Sequence, residues 1–461
     1  MSKAIYIVTT EPNSGKSIVS LGLMQLLLGK TAKVGYFRPI DTILSYFNVD
    51  MKPDEAYAYT RSQVVQLKNK DKDDEIVGHI IHKYKTIENR FDFVLVEGTD
   101  FSGEGAIIEW DINVLIAKNL GIPAIILASG KNKTLEELLG NLYMAYDSFM
   151  EKGVEVLLII ANKVQPENLD VVTNGLKVKL PNNVLVGTIP INNILGSPTV
   201  KEIAQELDAK ILFGKNYINN QVGGFSVGAM QLRNYLTHLK KDSLVITPGD
   251  RADIILGALQ ANISTNYPSL SGIVLTGGLI PEESIIKLIE GLSDIIPILT
   301  VVGGTYSVTN KIGTIRPRIY AGNTEKIIIS IQEFEKYIPT KELAERLITF
   351  KAKGITPRMF QYNLLQKAKS TKKHIVLPEG LDERILLATK KLIDADAVSI
   401  TLLGNREQIK AKVIELDIDL DLNAINIIDP TTSSQFTDYA TTLFELRKHK
   451  NVNLAMAKDL M

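Results

Sequence analysis

Ala4-Ile5-Tyr6-Ile7-Val8-Thr9-Thr10-Glu11-Pro12-Asn13-Ser14-Gly15-Lys16-Ser17 is a short apolar run, a turn-rich loop and a Gly-Lys-Ser triplet, and it leads into the helical stretch 18–28. An apolar, β-branched run closed by small polar residues reads as a buried strand, and the periodic stretch after it reads as a helix. Between them, successive backbone N–H groups can curl around an anion, with the helix start adding partial positive charge. Gly15, Lys16 and Ser17 fit the parts of a phosphate-binding loop: the tight turn, the Lys that bridges terminal phosphates and the hydroxyl that reaches Mg²⁺. Thr stands at positions 9 and 10 where a leading Gly is usual. The loop is therefore a variant, and an ordinary strand–helix turn is the competing reading.

Working outward, short apolar runs at 4–9, 34–37, 93–96, 124–128, 156–161 and 184–188 alternate with longer helix-like stretches. That alternation predicts a parallel sheet wrapped by crossover helices, covered on both faces. The run 92–98, Asp-Phe-Val-Leu-Val-Glu-Gly, ends a buried strand in a carboxylate. Active sites form at the carboxyl ends of parallel strands, so Glu97 is the candidate for holding Mg²⁺ or its waters beside the loop.

The chain has 461 residues, 45% hydrophobic and 23% charged, with 52 basic and 52 acidic side chains and no Cys. At roughly 150 residues per domain this predicts about three domains. A neutral total gives no broad field for gripping nucleic acid or an acidic membrane, so neither is expected as a partner. The absence of Cys excludes disulfides, thiolate metal sites and a Cys-based acyl intermediate within these residues. The start is too quickly punctuated for a secretion signal, and no run reaches the roughly 18–20 apolar residues of a membrane helix. The expected location is cytoplasmic.

Strand candidates at 244–247, 272–275 and 298–302, closed by Pro248-Gly249-Asp250, Gly277-Gly278 and Gly303-Gly304, predict a second α/β module. These turns could wrap a small anion or simply supply positive φ. Residues 351–374 carry seven Lys or Arg and no acid, which reads as a solvated linker and helix face. A third β/α unit opens at 374 with strands at 374–377, 398–403 and 425–428. The predicted domains are 1–215, 216–340, a basic linker or helix at 341–373, and 374–461. The predicted fold class is α/β: a P-loop parallel sheet with crossover helices, a small middle α/β module and the first part of a β/α domain.

The loop, the Val96-Glu97-Gly98 strand end, Phe37-Arg38-Pro39, Ala161-Asn162-Lys163-Val164 and Gly187-Thr188-Ile189-Pro190 together resemble the dethiobiotin-synthetase-like branch of P-loop proteins. The resemblance implies ATP and Mg²⁺ binding, with Asn162 facing the adenine. Arg38 stands where the synthetase has Lys, and a planar fork does not replace a compact ammonium. Asp250-Arg251 resembles the start of the Asp-Arg-Thr-Gly-Gly regulatory module, although the rest of that string does not follow it. His374 to Arg384 (His-Ile-Val-Leu-Pro-Glu-Gly-Leu-Asp-Glu-Arg), Gly404-Asn405, Asp429-Pro430 and Phe444 to Lys450 (Phe-Glu-Leu-Arg-Lys-His-Lys) resemble the opening of the phosphate acetyl/butyryl transferase domain.

In this order the three parts resemble the long bacterial form of phosphate acetyltransferase. The resemblance implies reversible acetyl transfer between coenzyme A and phosphate, giving acetyl-CoA or acetyl phosphate, by direct attack of the thiolate on acetyl phosphate. It also implies a homo-oligomer at full length, a nucleotide-binding regulatory arm, and Arg447 approaching the phosphate of the CoA nucleotide. The family's catalytic Arg, Ser and Asp fall beyond residue 461, so the expectation is a chain truncated within its catalytic domain and inactive alone. Glu379, Asp382 and Arg384 match a strand-end pattern that suits packing or an ion pair, and His449 suits a surface position. Two other readings stay open: an ATP-dependent ligase of the dethiobiotin synthetase type, and a non-catalytic nucleotide-sensing protein.

Overall fold

The computed structural model describes residues 3–460 apart from 41–48, 71, 100–105, 316, 318, 320, 321 and 351–355. It forms two compact units, Met1–Gly354 and Ile355–Met461. The first holds two sheets and the second holds one. Part of the expected linker at 341–373 lies outside the described residues.

The first sheet consists of β1 (Lys3–Thr9), β2 (Val34–Ile40), β3 (Tyr57–Tyr59), β4 (Phe93–Glu97), β5 (Ala124–Ser129), β6 (Val156–Val164) and β7 (Leu185–Pro190), in the order β3-β2-β4-β1-β5-β6-β7. Every pairing is parallel. Ile5, Ile7, Leu95, Ile125, Leu127, Leu158 and Ile160 are buried on one face and Tyr6, Val8, Val94, Val96, Ile126 and Ile159 on the other, as expected for strands covered on both faces. β1 lies between β4 and β5, so the loop that follows it emerges between their carboxyl ends.

Helix Lys16–Leu28 is buried along most of its length. One side packs on the sheet, and another is covered by helices Thr324–Tyr337 and Thr340–Thr349, whose Phe334, Leu343 and Leu347 join the same core together with Ile338 between them. Gly22 gives Phe334 its place: a Cβ there would lie 2.1 Å from the ring. The core of the first sheet therefore extends beyond the expected 1–215 span and takes in residues the sequence grouped with the middle module.

The second sheet has β8 (Lys210–Phe213), β9 (Gly224–Val227), β10 (Ser243–Pro248), β11 (Leu270–Thr276) and β12 (Ile298–Thr300), in the order β8-β12-β11-β10-β9. Four strands are parallel and β8 closes one edge antiparallel to β12. The chain enters this module through helix Val200–Leu207 and leaves it through helix Thr324–Tyr337. At that crossing Lys326 Nζ pairs with Glu202 Oε2 at 3.2 Å, both side chains buried. Burial lowers the Lys326 amine, an effect that the Glu202 carboxylate opposes.

In the second unit β13 (His374–Leu377), β14 (Ser399–Leu403) and β15 (Asn426–Ile428) form a parallel sheet. Helices Glu383–Asp394 and Arg406–Glu415 supply Leu386, Ile409 and Val413 to its core. Among the described residues, no helix is long and apolar enough to cross a membrane.

Candidate functional site

The loop after β1 is tied to three neighbouring strand ends. From the β4 end, Gly98 O accepts from Lys16 Nζ at 2.6 Å. At the β5 end, Glu11 Oε1 accepts from Ser129 N at 2.8 Å and Oε2 pairs with Lys133. From the β6 end, Asn162 Nδ2 donates to Ser14 O at 2.7 Å and Lys163 Nζ to Asn13 O at 2.6 Å. Gly15 caps helix Lys16–Leu28 at φ 92, and a Cβ there would fall 2.1 Å from Asn162 Nδ2. Only glycine allows both that backbone conformation and that approach. Ser17 is half-buried in the first helical turn. The structure thus brings Gly15, Lys16, Ser17 and Asn162 together at one loop. Asn162 is fully buried, and its Oδ1, like the Thr9 and Thr10 hydroxyls, finds no hydrogen-bond partner among the described residues.

Glu97 lies beneath this loop, only 6% exposed. Its Oε1 forms an ion pair with Lys16 at 3.4 Å, while Oε2 accepts from Ser20 Oγ at 2.9 Å and from the Tyr36 hydroxyl. These partners offset the cost of burying the carboxylate. The sequence reading missed Ser20 and Tyr36. Ser20 had a signal, since it lies one helical turn beyond Lys16 on the same face; Tyr36 on β2 had none. Gly98 is equally confined, because a Cβ would come 2.6 Å from Asn113 Oδ1 and 2.9 Å from Ile7 O. Asn113 Oδ1 also accepts from the Tyr6 hydroxyl at 2.7 Å and from Thr99 N at 3.0 Å. Burial pushes the Tyr6 hydroxyl well above the usual range, so it stays a donor.

In the second sheet Arg251 Nε and Nη2 each reach an Asp253 carboxylate oxygen at 2.8 Å, and Nη2 also donates to Met230 O at 2.9 Å. Arg251 thereby ties the chain after β9 to the start of helix Ala252–Ile263. Gly277 and Gly278 adopt φ of 80 and 68. Those angles supply the turn after β11.

In the third sheet three of the motif strings gather at the carboxyl ends of the strands. Pro378-Glu379-Gly380 follows β13, Gly404-Asn405 follows β14 and Asp429-Pro430 follows β15. Gly380 N donates to Leu403 O at 3.2 Å, Gly404 N to Ile428 O at 2.9 Å, and Asn405 Nδ2 to Asp429 Oδ2 at 3.2 Å. Asp382 and Arg384 form an ion pair at 2.9 Å. Arg447 is exposed at the last turn of helix Phe436–Arg447, and His449 is exposed just beyond it.

Three family models match in chain order: an AAA domain over residues 3–199, a DRTGG domain over 202–315 and a phosphate acetyl/butaryl transferase over 359–461. A phosphate acetyltransferase of Nitratidesulfovibrio vulgaris is 37% identical over 479 positions, covering 100% of this chain and 68% of that protein. One from Synechocystis sp. is 38% identical over 476 positions with the same coverage, 100% and 68%. One from Escherichia coli is 23% identical over 496 positions, again covering 100% and 68%. Among solved structures, the CBS and DRTGG domains of the regulatory region of Clostridium perfringens pyrophosphatase align with 38% of this chain and 70% of theirs, at 19% identity and a TM-score of 0.23.

Proposed function

Because this chain belongs to the phosphate acetyltransferase family, a family of acyltransferases, we propose that it moves an acetyl group reversibly between coenzyme A and phosphate. The observation that carries this reading is identity of 37% running through the whole chain rather than through one of its domains. In the direction of acetyl-CoA formation, the CoA sulfur attacks the carbonyl carbon of acetyl phosphate, a carbon–sulfur bond forms, and the carbon–oxygen bond to phosphate breaks. The chain contains no Cys, so no cysteinyl acyl group intervenes within these residues. Exposed Arg447 is the proposed donor to the phosphate of the CoA nucleotide, a task suited to a permanently charged fork. The cytoplasm is the proposed location and a homo-oligomer the proposed assembly. Formation of acetyl-CoA from acetyl phosphate and CoA by the purified 461-residue chain tests the activity, and turnover would overturn the expectation that this chain is inactive alone. Carboxylation of a diamine at the expense of ATP, without acetyl transfer, would instead favour the ligase reading.

The first two sheets are the proposed regulatory arm, with Gly15, Lys16, Ser17 and Asn162 binding a nucleotide such as ATP. The tethered loop and the unpartnered oxygens around it support that assignment. Among the described residues no group of three or more acidic or His side chains could hold a metal ion. A Mg²⁺ ion would have Ser17 and Glu97 as protein ligands and complete its shell with water and phosphate oxygens, which suits its preference for few protein ligands. Glu97 Oε1, which faces Lys16 at 3.4 Å while Oε2 takes the Ser20 and Tyr36 hydroxyls, is the oxygen fitted to it. Lys16→Ala is expected to lower ATP–Mg²⁺ affinity by about 10-fold or more, because a charge-assisted contact to phosphate is lost. Calorimetric titration measures this, and unchanged affinity counts against the loop.

A further inference from the structure

We propose that Asn162 and Lys163 are positioning residues that hold the 10–15 loop in anion-binding shape before any ligand arrives, Lys163 by fixing Asn13 in the left-handed region. The inference rests on the reading of that loop as a phosphate site.

Neighbouring side chains of a strand point to opposite faces, so two consecutive residues of β6 should not both reach one loop. Both do. The ladder between β6 and β7 shifts register between Ala161 and Val164, and Lys163 sits at φ 57. A bulge of this kind re-aims a side chain, and a left-handed lysine is a strained conformation that its surroundings must hold in place. Here the strained residue grips a second one: Lys163 Nζ donates to the carbonyl of Asn13, itself at φ 58. Asn162 Nδ2 takes the next carbonyl, that of Ser14. Its orientation follows from the chemistry, since a backbone carbonyl only accepts and the amide nitrogen must face it.

In a trans peptide the N–H points opposite to the C=O. Drawing the carbonyls of residues 13 and 14 toward β6 therefore turns the N–H groups of Ser14 and Gly15 the other way, away from β6. Left-handed residues at 13 and 15 complete a concave arrangement of backbone donors of the kind that binds anions. The two side chains need touch no phosphate. They supply the backbone geometry that does.

The test titrates the 461-residue chain with inorganic triphosphate, with and without Mg²⁺. Lys163→Met keeps the length of the stem and removes the donor, and it is expected to weaken binding about tenfold, the worth of one charged hydrogen bond. Asn13→Gly added to Lys163→Met should restore most of that loss, because glycine holds a positive φ without help. A lysine that touched the ligand directly could not be replaced by a backbone change elsewhere. Without ligand, the Ser14 and Gly15 amides should exchange hydrogen faster in Lys163→Met than in the unaltered chain. Unchanged affinity, unchanged exchange, or a loss that Asn13→Gly does not restore overturns the proposal. Absence of triphosphate binding by the unaltered chain overturns the phosphate-site reading and the proposal with it.

Discussion

Gly22 is a point of contact between helix Lys16–Leu28 and helix Thr324–Tyr337. Phe334 is fully buried and its ring occupies the space a Cβ on Gly22 would need, at 2.1 Å. Alanine in mid-helix ordinarily gains up to about 1 kcal/mol over glycine. Forced overpacking costs about 1–3 kcal/mol, so the clash should win and Gly22→Ala should destabilise the first unit. A lower urea midpoint is the expected result, and a higher one would mean that the helices part without cost. At this scale the sequence reading reached Lys16 and Glu97 because strand, loop and helix are adjacent in the chain and their chemistry is local. Lys163 could not be read the same way. Its reach to Asn13 depends on a φ of 57 and a register shift that no residue type announces.

Helix Glu383–Asp394 shows what a single cap contributes. Asp382 Oδ1 accepts from Arg384 N at 2.8 Å while the Arg384 guanidinium grips both carboxylate oxygens. The side-chain bond to Arg384, and then the backbone bond, hold the Asp382 carboxyl down at about 2, against an ordinary value of 3.8. The folded value lies below the unfolded one. Its stabilising effect is therefore fully present above pH 3.8 and disappears as the pH falls toward about 2. Amides in the first turn of this helix should exchange faster across that window, and Asp382→Ala should remove the pH dependence; exchange that stays flat in the unaltered chain would exclude the cap as its source. The sequence announced such elements where apolar runs were long and closed by turn residues, as in β10 and β11. It did not announce β8, whose exposure alternates along four residues, or β9, a four-residue strand that is mostly exposed. Helix Thr324–Tyr337 was not singled out, and an amphipathic pattern would not have said which sheet it covers.

At the scale of the whole chain, the AAA match ends at residue 199 while the core it belongs to does not. Phe334, Ile338, Leu343 and Leu347 are each at most 4% exposed. At about 1.5–3 kcal/mol per buried side chain they contribute roughly 6–12 kcal/mol of transfer free energy, comparable to the net stability of a domain at about 5–15 kcal/mol. A fragment of residues 1–199 is expected to bind a hydrophobic dye and lack a cooperative melt, whereas residues 1–350 should unfold cooperatively. A sharp transition in the shorter piece would show that the returning helices are dispensable. Their late arrival also bears on synthesis. Roughly 140 residues separate the end of β7 from Phe334, and at about 5–20 residues per second the ribosome needs about 7–30 s to make them. Throughout that interval the helix after the loop has one apolar flank bare, while β8 to β12 emerge and can condense on their own. The sheet begun first is thus finished only after the second one, and a chaperone that shields apolar helices would find its target on the nascent chain during that wait.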